Sequence, residues 1–190
     1  MPINIAPALP IFGWMSPPEL TWLAQEASAC RSIIEVGCYK GRTTRVLGDH
    51  VQPSGLVYSV DPWGGYTNDD GSQAAWATPN GVTWESVYEE WTRNVADLLH
   101  LGTVQCVRAT SMSALNMLPS LVDFVFLDGD HREAAVLAEI AAYAPRVRKG
   151  GILAGHDYTH KDWPGVKAAV DRMFPAERIN IVGSIWWVQL

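Results

Sequence analysis

The sequence predicts an α/β fold in which helices cover both faces of a mostly parallel sheet. Short apolar runs rich in β-branched residues alternate along the chain with longer segments of helical periodicity, which is the pattern of consecutive βαβ units. Residues 178–190 break this alternation, because two apolar runs there flank Gly183-Ser184. The chain is therefore expected to end in an antiparallel hairpin.

The first predicted helix begins after Ser16, an N-cap hydroxyl that is followed by two prolines and a glutamate. Leu20, Leu23 and Ala27 then recur at helical spacing, so this helix covers about 17–30. The later helices show the same periodicity and are expected after Gly41 and at 84–101, 132–147 and 166–174. The predicted strands are apolar runs bounded by polar residues, at 32–38, 56–63, 103–111, 122–128 and 150–158.

The 190 residues contain no repeat, low-complexity tract or linker, so a single domain spanning 1–190 is expected. A hydrophobic N-terminal arm and the first helix occupy residues 1–30, and the apolar side chains of the arm indicate packing on a second copy in a homo-oligomer. Residues from about 63 to 92 are rich in glycine and aromatic residues. A long irregular segment is usually functional or disordered, and disordered segments are poor in aromatics. We therefore expect a lid or substrate wall there.

The composition argues against several partners. A net charge of −6 and a pI near 5.3, without a block of basic residues, disfavour nucleic acid, whose phosphates need a basic surface. No stretch approaches the ~20 apolar residues of a membrane span, and the N-terminus lacks the basic start of a signal peptide. The three cysteines form no C-x-x-C pair and are odd in number. This pattern favours unpaired thiols and a cytoplasmic location.

Polar residues follow four of the predicted strands at the point where the apolar run ends. The sharpest change is in FVFLDGDH (124–131), where four residues that favour burial precede two carboxylates and an imidazole. Ligands of open α/β sheets bind at the carboxyl ends of the strands. The candidate site residues at these exits are Asp61, Thr110, Ser111, Asp128, His131, His156 and Asp157. The simpler alternative is a set of polar turns that cap helices, which is the role expected for Asp130.

The first strand-to-helix turn contains Glu35-x-Gly37-x-x-x-Gly41. Glycine allows a tight turn and the close approach of a ligand to the backbone. A dinucleotide fingerprint requires further glycines, but Tyr39 and Arg42 occupy those positions, so NAD and FAD are disfavoured. An acidic residue at the next strand exit suits the hydroxyls of a ribose. The combination favours an adenosine ligand without phosphates.

This ordered set of motifs resembles the class I S-adenosylmethionine-dependent methyltransferases, which have a Rossmann-like fold, over residues 30–190. It is most similar to small metal-dependent O-methyltransferases of the catechol type, through EVGCYKGRTT (35–44), and of the macrocin and mycinamicin sugar type, through LDGDH (127–131) and the later His156-Asp157. The resemblance implies S-adenosylmethionine as cofactor, with Glu35 at its methionine amino end and Asp61 at its ribose. The further cofactor contacts that it implies are Gly37, Tyr39, Gly41, Thr43, Asp128 and, at the adenine, Thr110 and Ser111.

The carboxylates of Asp128 and Asp157 end adjacent strands of the predicted sheet and are the expected ligands of Mg²⁺ or Mn²⁺. His156 is expected as a weaker third ligand, since imidazole suits Mn²⁺ better than Mg²⁺; a second proton acceptor and a packed neutral histidine are the alternatives. The sugar-methylating relatives usually carry two adjacent acidic or amide residues where this chain has His156-Asp157. By the same resemblance, His131 is the expected general base. His50 is expected at the surface.

The expected function is transfer of a methyl group from S-adenosylmethionine to a hydroxyl of a small-molecule acceptor, assisted by a divalent metal. The acceptor is a sugar or an aromatic compound, and the candidate side chains that stack on it are Trp63, Tyr66, Trp76, Trp84 and Trp163. Three alternatives stay open: a nicotinamide oxidoreductase on the same sheet, a non-catalytic cofactor-binding module whose tryptophans bind a partner, and a metal-independent methyltransferase.

Overall fold

The computed structural model describes residues 2–64 and 82–190. The strands within these ranges are β1 (Ser32–Val36), β2 (Leu56–Val60), β3 (Val104–Val107), β4 (Val122–Leu127), β5 (Val147–Gly155), β6 (Asn180–Val182) and β7 (Ile185–Gln189). They form one seven-stranded sheet in the order β3-β2-β1-β4-β5-β7-β6. Strands β1 to β5 pair in parallel, whereas β7 runs antiparallel to both β5 and β6. The predicted mostly parallel sheet and C-terminal hairpin are confirmed.

The α-helices in the described ranges are α1 (Pro17–Ala27), α2 (Arg42–His50), α3 (Trp84–Asn94), α4 (Ala96–His100), α5 (Ser111–Ala114), α6 (Glu133–Tyr143) and α7 (Pro164–Met173). Several element ends differ from the predicted ones, and two of the differences have a visible local cause. The helix predicted at 84–101 is interrupted at Val95, whose backbone leaves the helical region while its side chain is fully buried. The strand predicted at 103–111 ends at Val107, because the Thr110 hydroxyl caps α5 by accepting a hydrogen bond from Ser113 N–H at 3.3 Å.

Strand β1 shows how the sheet supports helices on both faces. Successive side chains of a strand point to opposite sides of the sheet. Ile33 packs into the core that includes buried residues of α1, α2 and α3, whereas Ile34 packs into the core that includes residues of α6 and α7. Both side chains are fully buried. The run of apolar residues in β1 is thus explained by burial on two sides.

The N-terminal arm, residues 2–15, packs on the same chain. The backbone N–H of Asn4 donates to Nε2 of His50 at 3.0 Å, and Ile11 and Met15 are buried. The prediction that His50 lies at the surface is wrong, because its ring is 8% exposed and also contacts the Val46 carbonyl oxygen. The homo-oligomer stays a prediction.

Within the aromatic segment 63–92, the described aromatic side chains pack mainly in or against the core. Trp63 is 2% exposed, and its ring centroid lies 4.9 Å from that of the fully buried Trp91. Its Nε1 donates to the Tyr39 carbonyl oxygen at 2.9 Å. Trp63 is therefore wrong as a candidate for stacking on an acceptor. Tyr66 and Trp76, with most of the predicted lid, lie outside the described residues.

Two smaller expectations concern membranes and cysteines. No helix within residues 2–64 and 82–190 combines the length and apolarity that a membrane crossing requires. Cys30, Cys38 and Cys106 are all free, as predicted from their spacing.

Candidate functional site

A cavity of about 570 Å³ lies at the carboxyl ends of β1, β4 and β5. Residues that directly follow these strands line it, together with residues 12–15 of the N-terminal arm and the start of α2. The predicted site residues among the described lining residues are Gly37, Tyr39, Thr43, Asp61, Asp128, His131, His156 and Asp157. Four other predicted residues, Glu35, Gly41, Thr110 and Ser111, do not line it. The exits of β1, β2, β4 and β5 thus meet at one cavity, as expected for parallel strands, whereas the β3 exit does not reach it.

Gly37 allows the exits of β1 and β4 to touch. Its φ is +88°, and a Cβ at this position would lie 2.0 Å from the carbonyl oxygen of Asp128. No other residue fits this conformation and this space. Gly37 N–H donates to the Val60 carbonyl oxygen at 2.9 Å, which connects the same turn to β2. The turn is therefore fixed between three strand ends.

The Asp61 side chain fixes the turn between β1 and α2 by accepting hydrogen bonds from backbone N–H groups of that turn. Its Oδ2 accepts hydrogen bonds from the N–H groups of Cys38 (2.9 Å) and Tyr39 (3.0 Å), and its Oδ1 accepts from Trp63 N–H (2.7 Å). Burial raises the pKa of this carboxyl, although the three N–H groups favour its charged form. These contacts give Asp61 a structural role that the sequence did not indicate. The ribose contact stays a prediction, and each carboxylate oxygen retains capacity to accept a further bond.

Glu35 lies beneath the cavity, in the core of the sheet. Its Oε2 accepts hydrogen bonds from the hydroxyls of Thr44 (2.7 Å) and Ser59 (2.9 Å), while its Oε1 is buried without a hydrogen-bond partner among the described residues. Burial raises the pKa of Glu35 to about 7. Trp91 Nε1 donates to the Thr44 hydroxyl at 3.1 Å, so α3 supports the same carboxyl. Contact of Glu35 with the methionine end of a cofactor stays a prediction.

Asp128, His131 and Asp157 form a cluster in which each residue offers one potential metal-ligand atom, and these atoms lie within 4.8 Å of one another. Asp128 follows β4 and Asp157 lies two residues past Gly155, the β5 residue that pairs with Leu127. His131 Nε2 lies 2.9 Å from Asp157 Oδ2. The His131 ring also stacks on Trp163 with a centroid distance of 4.5 Å. The neighbouring ends of β4 and β5 therefore bring Asp128 and His131 close to Asp157.

His156 lies between three carboxylates. Its Nε2 is 3.2 Å from Glu19 Oε1, and its Nδ1 is 3.3 Å from Asp157 Oδ1 and 3.9 Å from Asp128 Oδ1. Burial disfavours the charged imidazole, but the carboxylates of Asp128, Asp157 and Glu19 raise the pKa of His156 to about 10. His156 therefore lies beside both aspartates and Glu19, and its raised pKa favours a positively charged ring that balances these carboxylates. Its role as a metal ligand stays a prediction.

The two aspartates of the cluster differ in charge preference. Burial raises the pKa of Asp128. Burial also opposes ionisation of Asp157, but hydrogen bonds from His131 and His156 hold its pKa well below the usual range. Burial disfavours protonation of His131, yet its contact with Asp157 raises the pKa of the imidazole. Asp157 is therefore the charged partner of both histidines.

Glu19 is a site residue that sequence reasoning missed. Its Oε2 accepts hydrogen bonds from the backbone and hydroxyl of Ser16, both at 2.7 Å, which forms a capping box for α1. Its Oε1 accepts from Ser184 N–H at 2.7 Å and contacts His156. Burial opposes ionisation, but the bonds from His156, Ser16 and Ser184 lower the pKa of Glu19 to about 2. The sequence indicates only that Glu19 caps α1. A capping pattern does not reveal that Oε1 contacts Ser184 and His156.

The remaining predicted residues lie at the edge of this arrangement. Thr110 caps α5, and the Ser111 carbonyl oxygen accepts a hydrogen bond from the Tyr143 hydroxyl at 2.6 Å. Contact of either residue with an adenine stays a prediction. Asp130 does not cap α6, because Arg132 occupies the N-cap position. Asp130 instead accepts from Arg132 N–H at 2.9 Å and pairs with its guanidinium.

Comparison with known proteins agrees with this fold. Residues 34–158 match the family described as "Methyltransferase domain". Among solved structures, the chain is similar to an O-methyltransferase from Bacillus cereus in complex with SAH, with a TM-score of 0.66, 16% identity, and coverage of 96% of this chain and 86% of that chain. It is also similar to the O-methyltransferase TomG from Streptomyces achromogenes, involved in tomaymycin synthesis and in complex with SAM, with a TM-score of 0.64, 15% identity, and coverage of 93% and 81%.

A curated relative is the uncharacterized protein R132 of Acanthamoeba polyphaga mimivirus, which is 37% identical over 81 residues. That match spans 40% of this chain and 37% of the viral protein, so well under half of the relative is represented.

The fold is that of the class I methyltransferases, as in the solved O-methyltransferases to which the chain is similar. The chain belongs to the methyltransferase domain family, whose match covers most of the sheet and every strand exit that lines the cavity. The predicted family and fold class are confirmed.

Proposed function

We propose that the protein transfers a methyl group from S-adenosylmethionine to a hydroxyl of a small-molecule acceptor, a sugar or an aromatic compound, with the help of a divalent cation. The observation that supports this proposal is the convergence of Asp128, His131 and Asp157 on one cavity at the carboxyl ends of β4 and β5. Trp84 and Trp163 also line that cavity and are the described candidates for stacking on the acceptor.

Asp128 and Asp157 would hold the cation. Two carboxylate oxygens close to an imidazole nitrogen fit Mn²⁺, and the carboxylates alone fit Mg²⁺ with water completing its shell. An ion held by these carboxylates would supply Lewis-acid chemistry, lowering the pKa of the acceptor hydroxyl. Both ring nitrogens of His156 already face carboxylates. We therefore assign His156 to balancing and positioning Asp157, in place of its expected role as a ligand.

His131 would accept the proton that the acceptor hydroxyl loses as its oxygen takes the methyl group. The contact with Asp157 orients the imidazole and stabilises its charged form, as a carboxylate does for a catalytic histidine in general. Because a base acts only when deprotonated, the raised pKa of His131 predicts turnover that increases with pH until this group has lost its proton.

The test measures S-adenosylhomocysteine formation with panels of sugars and phenols, together with Mn²⁺ binding by electron paramagnetic resonance. His131→Ala is expected to lose turnover, by ~100-fold or more for a missing general base, while S-adenosylhomocysteine and Mn²⁺ still bind. Asp157→Asn is expected to lose Mn²⁺ binding as well. His100→Ala, which removes an exposed histidine of α4, is the matched control. Unchanged turnover in His131→Ala would remove this residue from the mechanism.

The cluster geometry also favours a second role for His131, as a metal ligand. In that case His131→Ala weakens Mn²⁺ binding along with turnover. Turnover that survives complete chelation of divalent ions identifies a metal-independent methyltransferase. Binding of S-adenosylhomocysteine without any transfer to the acceptor panels favours the non-catalytic module.

A further inference from the structure

Arg42, the first residue of α2, lines the cavity without a carboxylate partner among the described residues. Its Nη1 donates to the Gly13 carbonyl oxygen at 2.7 Å. Its Nε is buried and has no hydrogen-bond partner in the part of the chain that the structure describes. A buried donor of a charged group is costly unless a partner satisfies it. The guanidinium of this cavity-lining residue therefore has donor capacity that the described residues leave unused.

Neighbouring cations do not share this property. Lys40, which also lines the cavity, pairs with Glu90 at 2.7 Å. Arg45, one turn along α2, pairs with Asp49 and with Asp97. Carboxylates of the chain thus neutralise the cations on either side of Arg42, whereas Arg42 has no carboxylate partner within residues 2–64 and 82–190.

The N-terminal arm holds the Arg42 side chain in place. A Cβ on Gly13 would lie 2.9 Å from Arg42 Cδ and 3.2 Å from its Cβ, so the arm crosses directly over the stem of the side chain. The arm is itself anchored by the Asn4–His50 hydrogen bond and by the buried Met15. A guanidinium held in this way is pre-organised, which reduces the entropy lost when it binds a partner.

We infer that Arg42 is the carboxylate-binding residue of the cavity and that its ligand is the α-carboxylate of S-adenosylmethionine. This inference rests on the proposed function, which requires that cofactor whichever acceptor is used. Charge complementarity favours the cofactor as the source. The acceptor's reacting end must approach Asp128 and Asp157, and Glu19 lies on the same acidic side of the cavity, which disfavours an anionic acceptor. Arg42 supplies the cationic side.

The test compares two ligands by calorimetric titration: S-adenosylhomocysteine and 5′-methylthioadenosine, which keeps the adenosine and the thioether but lacks the amino acid. Arg42→Met is expected to weaken S-adenosylhomocysteine by ~10-fold or more, as expected for loss of a charge-assisted hydrogen-bond pair. Binding of 5′-methylthioadenosine is expected to stay within about twofold, because no carboxylate is involved. Arg93→Met removes an exposed arginine of α3 and controls for the change in net charge.

Gly13→Ala provides a second, independent variant. It leaves every charge in place but forces the Arg42 stem away from the arm, since the new Cβ has no room. The same selective loss of S-adenosylhomocysteine binding is expected, smaller than in Arg42→Met. Circular dichroism of each variant verifies that it is folded.

Three outcomes overturn the inference. Unchanged S-adenosylhomocysteine binding in Arg42→Met shows that no carboxylate of this ligand reaches Arg42, and an equal loss for both ligands shows that Arg42 only supports the fold. Failure of the wild-type protein to bind S-adenosylhomocysteine overturns the proposed function as well. Normal wild-type binding combined with a non-selective Arg42→Met effect overturns this assignment alone.

Discussion

The buried Glu35 carboxyl is expected to make the stability of the fold depend on pH. Burial raises its pKa from 4.5 to about 7 in the folded protein. The folded state therefore keeps a proton that the unfolded chain releases as the pH rises above 4.5. The contribution of Glu35 to the free energy of unfolding is fully retained below pH 4.5 and decreases as the pH rises toward 7. At higher pH, where Glu35 is ionised in both states, the contribution is constant.

The size of this effect follows from the shift in pKa. A difference from 4.5 to about 7 corresponds to about 3 kcal/mol of unfolding free energy, at ~1.4 kcal/mol for each pH unit. Most of it, about 2 to 3 kcal/mol, falls between about pH 5 and about pH 8. Glu35→Gln preserves the shape of the side chain and an oxygen that accepts from Thr44 and Ser59, but it cannot ionise. The unfolding free energy of Glu35→Gln, measured relative to that of the wild type, should therefore increase by about 2 to 3 kcal/mol from about pH 5 to about pH 8.

The assay is urea unfolding of the wild type and Glu35→Gln at about pH 5 and about pH 8. Glu89→Gln, which removes an exposed carboxyl, is the matched control. Only the change in the difference between the two proteins matters, because other titrating groups cancel in that comparison. A difference in unfolding free energy that is the same at both pH values would refute the reasoning. It would mean that water or a structural relaxation solvates Glu35 in the folded protein.

Two further predictions concern the turn and the arm. Gly37→Ala should destabilise the fold by more than about 3 kcal/mol in urea unfolding, since its Cβ meets the Asp128 backbone at 2.0 Å, whereas Gly102→Ala, with a φ of +71° but open space, should cost only about 1 kcal/mol. Equal costs would show that backbone conformation alone makes Gly37 necessary. His50→Leu should speed hydrogen exchange at the Asn4 amide by ~5-fold or more, because that amide loses its acceptor, while the exposed control His100→Leu should not. Continued protection of Asn4 in His50→Leu would contradict this.

The sheet could be predicted from the sequence because its signal is local. Runs such as Ile33-Ile34 are apolar on both sides of the strand, and their spacing between helical segments defines a parallel sheet. Parallel pairing then places every strand exit at one edge, which is why Asp128 and Asp157 could be expected to converge.

The partners that side chains find across the fold could not be predicted in the same way. Glu19 reads as a capping residue, and only the docked hairpin shows that its second oxygen contacts His156 and Ser184. His50 carries no local sign that the arm folds back to donate a hydrogen bond to it. Trp63 has a polar edge and a large apolar ring, so it suits a binding wall and a core equally well until its neighbours are known.

Glu19 also has a consequence for the order in which the molecule assembles. Its carboxylate joins α1 to residues 137 and 165 positions further along the chain. Closing loops of this length costs chain entropy before the contacts return any stabilisation. Ser184 can reach Glu19 only when the C-terminal hairpin has docked. We therefore expect the Glu19 contact with His156 to form late in folding, after Asp128 and Asp157 have been placed by the parallel strands.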